Sequence, residues 1–431
     1  MNTVRFTIKT KAIDSYIYAG QLFLFMQDGR IMRCSYEKVI NRLKENYPNL
    51  KGLITLAFLQ NSYMHSEAAK IILGIKEVMD ALHRVWDYAS STIDFVLDYK
   101  DIEQDCYLVG MVPTSPVLDV KMYNKHIFLG NKTGLYEIMF DEIFGMNNPA
   151  MHKRFDAKVV HVDAKFETVV ISAGREGLFT GNVPENRETI VTEKEVMKRS
   201  FRSAWSIYNI MNYEQPNEFT CLVNDVEKIP MGERKRKRFE SQESYKILEV
   251  GKERLSMDQL MKSVKERRKE KMNQVSYTFN SHQYGYFLKR NGKLLRMNIR
   301  SKQDDDFYYS SVIQEYSIEK SVKGEKPISA SILPNGCVLE YFDKVVLYQD
   351  GKTFIIENEP TVTVRSFVNS YRYKNLVAVT KEDGCTFHSV DTLDMIPTMP
   401  IYKPTRAQPV RELFEKPSAA VDADEYGEIP F

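Results

Sequence analysis

Tryptophan is nearly missing from this chain: Trp86 and Trp205 are the only two in 431 residues, against 25 Tyr and 23 Phe. An interior of this size must be filled by smaller aromatic and aliphatic groups, which suits many half-buried strands. Long apolar runs are missing as well. The longest, around 53–59, is far short of the ~20 residues that a bilayer-spanning helix needs. The first residues, Met1-Asn2-Thr3-Val4-Arg5, open a polar alternating strand without the apolar block of a signal peptide. Charge of one sign is not in excess: 60 Lys and Arg face 58 Asp and Glu, a net charge of +2. A chain so balanced has no overall attraction to nucleic acid or to an acidic membrane. The five cysteines, Cys34, Cys106, Cys221, Cys337 and Cys385, are odd in number, far apart in the sequence and without metal-ligand spacing. They read as reduced, buried thiols. The expectation is an intracellular protein without a membrane segment, cytoplasmic, or nuclear if the basic run 234–238 is an import signal.

Chemistry-bearing motifs are equally sparse. There is no Gly-x-Ser-x-Gly elbow, and Gly292-Lys293 and Gly351-Lys352 lack the upstream glycine of a phosphate loop. The seven histidines, among them His126 and His161, form no i, i+4 pair and no alternating strand pair, so they read as core or surface residues rather than metal ligands. Asp304-Asp305-Asp306 lacks the ligand alternation and central glycine of a calcium loop. No catalytic residue, metal or cofactor is expected.

What the chain does have is a recurring turn. Leu22-Phe23-Leu24-Phe25 leads through Asp28-Gly29 into Ile31-Met32, and His126 to Leu129 leads through Thr133-Gly134 into Leu135-Tyr136. The same grammar returns at Glu176-Gly177, Asn291-Gly292, Asp350-Gly351 and Asp383-Gly384. Glycine supplies the positive φ of a tight hairpin, and Asp or Asn before it tolerates the left-handed region. Repeated hairpins of one style signal repeated antiparallel units.

The turns are unevenly spaced, and two long intervals need insertions or hidden units. In the first, Tyr36 to Tyr47 reads as a helix ending before Pro48. Ser66 reads as the cap of a helix running to about Trp86, with Ile71, Ile72, Ile75, Val78, Met79, Leu82 and Val85 on a face that must pack on something. In the second, Ala204–Tyr208, Phe219–Val223 and Tyr245–Val250 read as strands, and Ser256 with Gln259 fits the capping box of a charged helix. Beyond Asp391 the texture changes. Six prolines within 397–431 exclude a ladder of strands and leave a Pro-rich tail, flexible or draped on the body.

These repeats resemble the β-propeller superfold, close in style to WD-repeat and kelch-like proteins, over residues 1–395. The family signatures are absent: no Gly-His pair opens the units, no double glycine occurs, and the one Trp-Asp dipeptide, Trp86-Asp87, ends a helical pattern. No catalytic residue is carried over. The resemblance implies a mainly β fold: a closed propeller, seven-bladed with six or eight as alternatives, with a helical insertion at 36–90 and a charged one at 226–273. Val4 to Ile8 is expected to pair with strands near Phe387, since an unpaired edge would be sticky.

Three functions are weighed. The leading one is a non-catalytic scaffold or adaptor that joins protein subunits through its insertions and tail. Within the tail, Leu413, Phe414, Tyr426 and Phe431 form apolar islands suited to docking on another subunit. The second is a nucleic-acid-associated propeller that grips phosphate through Arg234, Lys235, Arg236, Lys237 and Arg238, with Lys265, Arg267 and Arg268 on the charged helix. The bland alternative is a solvated loop tip, diluted by Glu233, Glu240 and Glu243. The third is a small-ligand sensor or hydrolase with residues gathered around a central channel.

Overall fold

A computed structural model of the chain describes residues 3–59, 66–113, 116–140, 150–184, 187–192, 194–228, 245–261, 274–281, 283–301, 307–317, 322, 324–334, 336–368, 370 and 372–395. Strand β1 (Thr3–Lys9) opens the chain. A first sheet follows, built from β2 (Ala12–Tyr18), β3 (Gln21–Met26) and β4 (Arg30–Ser35). Its fourth strand, β6 (Cys106–Met111), arrives only after a helical excursion that includes β5 (Phe95–Asp98). The second sheet holds β7 (Val117–Tyr123), β8 (His126–Asn131), β9 (Leu135–Met139) and β10 (Met151–Phe155). The third holds β11 (His161–Lys165), β12 (Thr168–Ser172), β13 (Leu178–Asn182) and β14 (Ile190–Val191).

The fourth holds β15 (Arg202–Ser206), β16 (Asn209–Gln215), β17 (Glu218–Lys228) and β18 (Tyr245–Ser256), which is the unit hidden in the long glycine interval. The fifth holds β19 (Val275–Ser281), β20 (Tyr284–Lys289), β21 (Lys293–Ser301) and β22 (Phe307–Ser317). The sixth holds β23 (Ser329–Leu333), β24 (Gly336–Glu340), β25 (Val345–Gln349) and β26 (Lys352–Glu357). The seventh joins β27 (Thr363–Ser366), β28 (Leu376–Lys381) and β29 (Gly384–Val390) to β1 and β5. The fold is mainly β and of the propeller type: seven sheets among the described residues, each meandering from a first strand outward.

Strand alternation explains how the sheets stack. Leu22, Leu24 and Met26 of β3 enter one apolar cluster, whereas Phe23 and Phe25 enter another on the opposite face. On β25, Val346 and Tyr348 face the fifth sheet while Val345 and Leu347 face the seventh. Successive side chains point to opposite faces of a strand, so a sheet buried on both sides reads as a continuous apolar run. Each of the seven apolar clusters bridges two successive sheets, and the cluster around Val4, Phe6 and Ile8 joins the seventh sheet to the first.

The turns behave as their residues require. Asp350 and Gly351 both take positive φ, 48° and 78°, the geometry of a two-residue hairpin that matches strand twist. At Gly134, φ is 157° and an added Cβ would lie 2.1 Å from the carbonyl oxygen of Phe155, so no larger residue fits there. Gly351 follows the third strand of its sheet, whereas the turns at Gly29, Gly134 and Gly292 follow second strands. That offset lengthens the interval before Gly351 and shortens the one after it, while the two long intervals hold the helical excursion and the fourth sheet. The expected turn at Asp383-Gly384 is displaced by one residue: β28 ends at Lys381, and Gly384 opens β29 opposite it without positive φ.

The expected pairing of the N-terminal strand is present. β1 runs antiparallel to β29 from Thr3 opposite Val390 to Lys9 opposite Gly384, with Phe6 opposite Phe387. On its other edge β1 pairs in parallel with β5, Phe6 opposite Phe95. The Phe6 ring stacks on Phe387 at 4.8–4.9 Å scale: the centroid distance is 4.9 Å, and Phe58 meets it edge-on at 4.8 Å. Replacing Phe6 by Ala should therefore cost about 3–5 kcal/mol, read as a lowered urea midpoint of unfolding.

Candidate interaction surface

The helical excursion is the part of the molecule that departs from the repeat. Helix α1 (Tyr36–Asn46) starts where the Ser35 hydroxyl accepts the amide of Lys38 and stops before Pro48. Its Tyr36, Val39, Ile40 and Leu43 recur at helical spacing and are all buried. Helix α2 (Lys51–Phe58) buries Leu53, Ile54, Leu56, Ala57 and Phe58. Its last carbonyls have no partner within the helix. The oxygen of Ala57 is taken instead by Ser389 Oγ at 2.6 Å and Asn375 Nδ2 at 3.2 Å, which ties α2 to the seventh sheet.

Ser66 does cap a helix, its Oγ accepting the amide of Ala69, but the expected single helix to Trp86 is divided. Helix α3 (Glu67–Leu73) stops at Gly74, and α4 (Lys76–Thr92) begins anew. Gly74 carries a backbone amide bonded back to Lys70 and Ile71, the closing turn of a finished helix. The expected docked face is also divided. Leu73, Trp86 and Ala89 are buried, and Met79 and Leu82 pack against the same cluster. Ile71, Ile72, Ile75, Val85 and Tyr88 instead lie in solvent, Ile72 at 52% and Tyr88 at 62% exposure. Charged residues of both signs, among them Lys70, Lys76, Asp80 and Arg84, share these two helices.

α4 is held to the end of the last sheet by an imidazole between two carboxylates. His83 Nδ1 lies 3.1 Å from Asp391 Oδ2, and His83 Nε2 lies 3.1 Å from Asp394 Oδ1. Both contacts are satisfied as hydrogen bonds only when both nitrogens carry protons. Burial opposes that charge, but Asp394 and Asp391 outweigh it and raise the pKa of His83 above its ordinary value.

The first strands carry a second set of cross-sheet ties. Arg365 on β27 forks onto Asp14 of β2 at 2.6 Å, and the same Nη2 reaches Asp119 of β7 at 3.3 Å. Asp119 Oδ2 accepts the amide of Val162 in the next sheet at 2.9 Å. Asp163 Oδ2 accepts the amide of Trp205 at 3.3 Å, and its other oxygen meets Lys121 Nζ at 2.6 Å. Burial disfavours the Asp163 carboxylate, yet Lys121 and His161 overcome this and lower its pKa. Arg202 donates to the Thr278 carbonyl at 2.5 Å and to the Tyr277 hydroxyl. At a further level, Tyr18, Tyr123 and Lys165, each at the end of a first strand, bond the first turn of the following sheet at Lys125, Glu167 and Ile207. These carboxylates and cations converge as a channel site would, but each carboxylate is already committed to backbone amides and to Arg or Lys. Among the described residues no group of three or more His, Cys, Asp or Glu is placed to hold a metal ion.

Two further histidines sit in buried pairs with glutamates. His126 Nδ1 meets Glu137 Oε1 at 2.7 Å, both fully buried, and His388 Nε2 meets Glu357 Oε1 at 3.0 Å. Burial works against the Glu137 carboxylate, but His126, Thr189 and Arg154 override it and bring its pKa to about 2. These are structural pairs, as expected of core histidines. An open polar depression of about 550 Å³ lies on the insertion, lined by Arg42, Glu45, Lys100, Asp101 and Glu103.

The residues singled out in the sequence for phosphate binding, Arg234 to Arg238 with Lys265, Arg267 and Arg268, lie outside the described residues. So do the tail residues Leu413, Phe414, Tyr426 and Phe431, and Asp304 to Asp306. The capping box of the charged helix is present: the Ser256 amide meets Gln259 Oε1 at 2.6 Å, and the Gln259 amide meets Ser256 Oγ at 3.2 Å. Leu260 and Met261 follow it into the core between the fourth and fifth sheets. No helix among the described residues is long and apolar enough to cross a membrane. The five cysteines are free thiols, as expected, and four are buried; Cys106 is the half-buried exception. Cys34 and Cys106, remote in sequence, stand directly opposite each other on β4 and β6.

No family model and no curated protein matches this chain. Among solved structures, it is similar to the β-propeller domain of Cps50 (Swd1) from Myceliophteria thermophila, with a TM-score of 0.46 and 7% identity over 90% of this chain and 100% of that one.

The His83 contact sets a pH dependence with a definite sign. A raised folded pKa means that the stabilisation is complete below the unfolded value of about 6.5 and is lost as pH rises through the folded value. The difference in melting temperature between the parent and His83→Gln should be largest at about pH 5.5 and shrink on the alkaline side. The largely exposed Asp394 limits the effect to less than about 1 kcal/mol.

Proposed function

We propose that the chain is a closed, seven-bladed propeller that serves as a non-catalytic scaffold, with the α3–α4 pair of its helical insertion as the partner-facing surface. Closure is supported by the count of apolar contacts between sheets: seven sheets share seven bridging clusters, whereas an open row would share one fewer. The interaction role rests on one observation, the exposure of Ile71, Ile72, Ile75, Val85 and Tyr88 on and between two consecutive helices that bury Leu73, Trp86 and Ala89. An apolar centre with a rim of mixed charge is the usual anatomy of a protein interface. The partner it fits is a protein with an apolar helix face, docked ridge into groove across α3 and α4. A stable complex of standard size would bury about 1,200–2,000 Å². A non-catalytic role is favoured by the engagement of Asp14, Asp119 and Asp163 with cross-sheet amides and cations.

The test compares the full chain with an Ile72→Asp, Ile75→Asp variant. Both positions are exposed, so the melting temperature should stay within about 2 °C, in line with surface substitutions generally. The tagged parent should elute with a stoichiometric partner or as a self-associated species, and the variant should elute without it, a loss of at least about tenfold in affinity. Retention of the same complex by the variant, or a parent that remains monomeric and alone, contradicts the surface.

A further inference from the structure

Two cysteines face each other across a strand pair at the neck of the insertion. Cys34 is the penultimate residue of β4 and Cys106 is the first residue of β6; between them in sequence lies the whole helical excursion. The register sets Cys34 opposite Cys106 in an antiparallel ladder. Directly opposed residues point to the same face, with Cα atoms about 4.5 or 5.5 Å apart according to the kind of pair. Both values lie within the range of about 4.4–6.8 Å that a disulfide accepts.

From this juxtaposition we infer that Cys34 and Cys106 form a reversible cross-strand disulfide, made by exchange with a small-molecule disulfide, that staples the insertion at its base. The two side chains are unequal in the way exchange requires. Cys106 is half-buried, and Cys34 is 1% exposed. The Cys106 thiol donates to the Ile102 carbonyl at 3.3 Å. The neighbouring Cys34 lowers the pKa of Cys106, while Cys106 and burial raise that of Cys34. Burial and Asp105 oppose the lowering at Cys106, and the nearby Tyr99 favours it.

The step balances. The Cys106 thiolate attacks one sulfur of RSSR, forming a mixed disulfide and expelling RS⁻. Cys34 then attacks the Cys106 sulfur, expelling the second RS⁻, and the two thiol protons leave with the two RS⁻ groups as RSH. The net change is RSSR and two cysteine thiols to one protein disulfide and two RSH. Cys221, Cys337 and Cys385 are fully buried on other strands, with Cys385 opposite Ile8 and Thr380 rather than a thiol. A staple here closes a long loop, the case in which a cross-link restricts the unfolded chain most.

The experiment treats the folded full chain with oxidised glutathione, followed by thiol counting and peptide mapping under denaturing, acid-quenched conditions. Thiols should fall from the five cysteines of the sequence to three, with a single linked peptide pair containing Cys34 and Cys106. Cys34→Ser should stop at glutathione on Cys106, and Cys106→Ser should remain unmodified at Cys34; Cys→Ala versions serve if either Ser variant fails to fold. The native chain retaining all its thiols, a link through any other cysteine, or Cys34 reacting alone in Cys106→Ser overturns the inference. Because the readout is covalent, its failure leaves the partner surface on α3 and α4 untouched, and the converse holds as well.

Discussion

The strand β1 is the constraint on which the rest depends. It is the first strand in sequence, yet it lies between β29, which it meets antiparallel, and β5, which it meets in parallel. Its inward residues Val4, Phe6 and Ile8 are completely buried in the cluster that joins the seventh sheet to the first. Without it, two sheets of the proposed ring would expose apolar faces, and β29 would become an open edge.

The helical insertion acts on that same place. β5 covers the outer edge of β1, Arg5 bonds Asp94 at 2.6 Å, Phe58 of α2 packs on Phe6, and the carbonyl of Ala57 is held by Ser389. His83 ties α4 to Asp391 and Asp394 just after the last strand. One side of the excursion is thus a clamp on the junction of β1 with the seventh sheet, and the other side offers apolar residues to solvent. A partner bound to α3 and α4 would sit on the clamp, and Cys34 and Cys106 stand on the two strands that flank the same excursion. The proposed scaffold role and the proposed staple therefore act through a single element.

Much of the architecture was legible in the residues, for physical reasons that can be named. Glycine announces turns with positive φ, so the units at Gly29, Gly134, Gly177 and Gly292 could be read directly, and Gly384 marked its unit by opening β29 just after the turn. The first turn of several sheets could not: Asn124-Lys125 and Phe166-Glu167 adopt positive φ without glycine, and a hydroxyl from the preceding sheet, Tyr18 or Tyr123, takes the amide of the second turn residue. That support is tertiary and leaves little local mark. A faint mark does exist, since Asp14 precedes Tyr18 by the same interval as Asp119 precedes Tyr123. The insertion was legible as helical from its periodicity. Which side of its apolar stripe faces the body was not, because periodicity fixes a face and not what lies against it. The Cys34–Cys106 contact is a consequence of register across a long excursion, which no spacing rule reports.

Native-state amide hydrogen exchange tests the central claim most directly. If β1 is the shared strand that holds the ring together, the amides of Phe6 and Ile8 should exchange only with global unfolding, in the same slowest class as those of β29 and β5, and should follow the global denaturant dependence. Exchange of the β1 amides by a local opening, while the neighbouring sheets stay protected, would contradict the account.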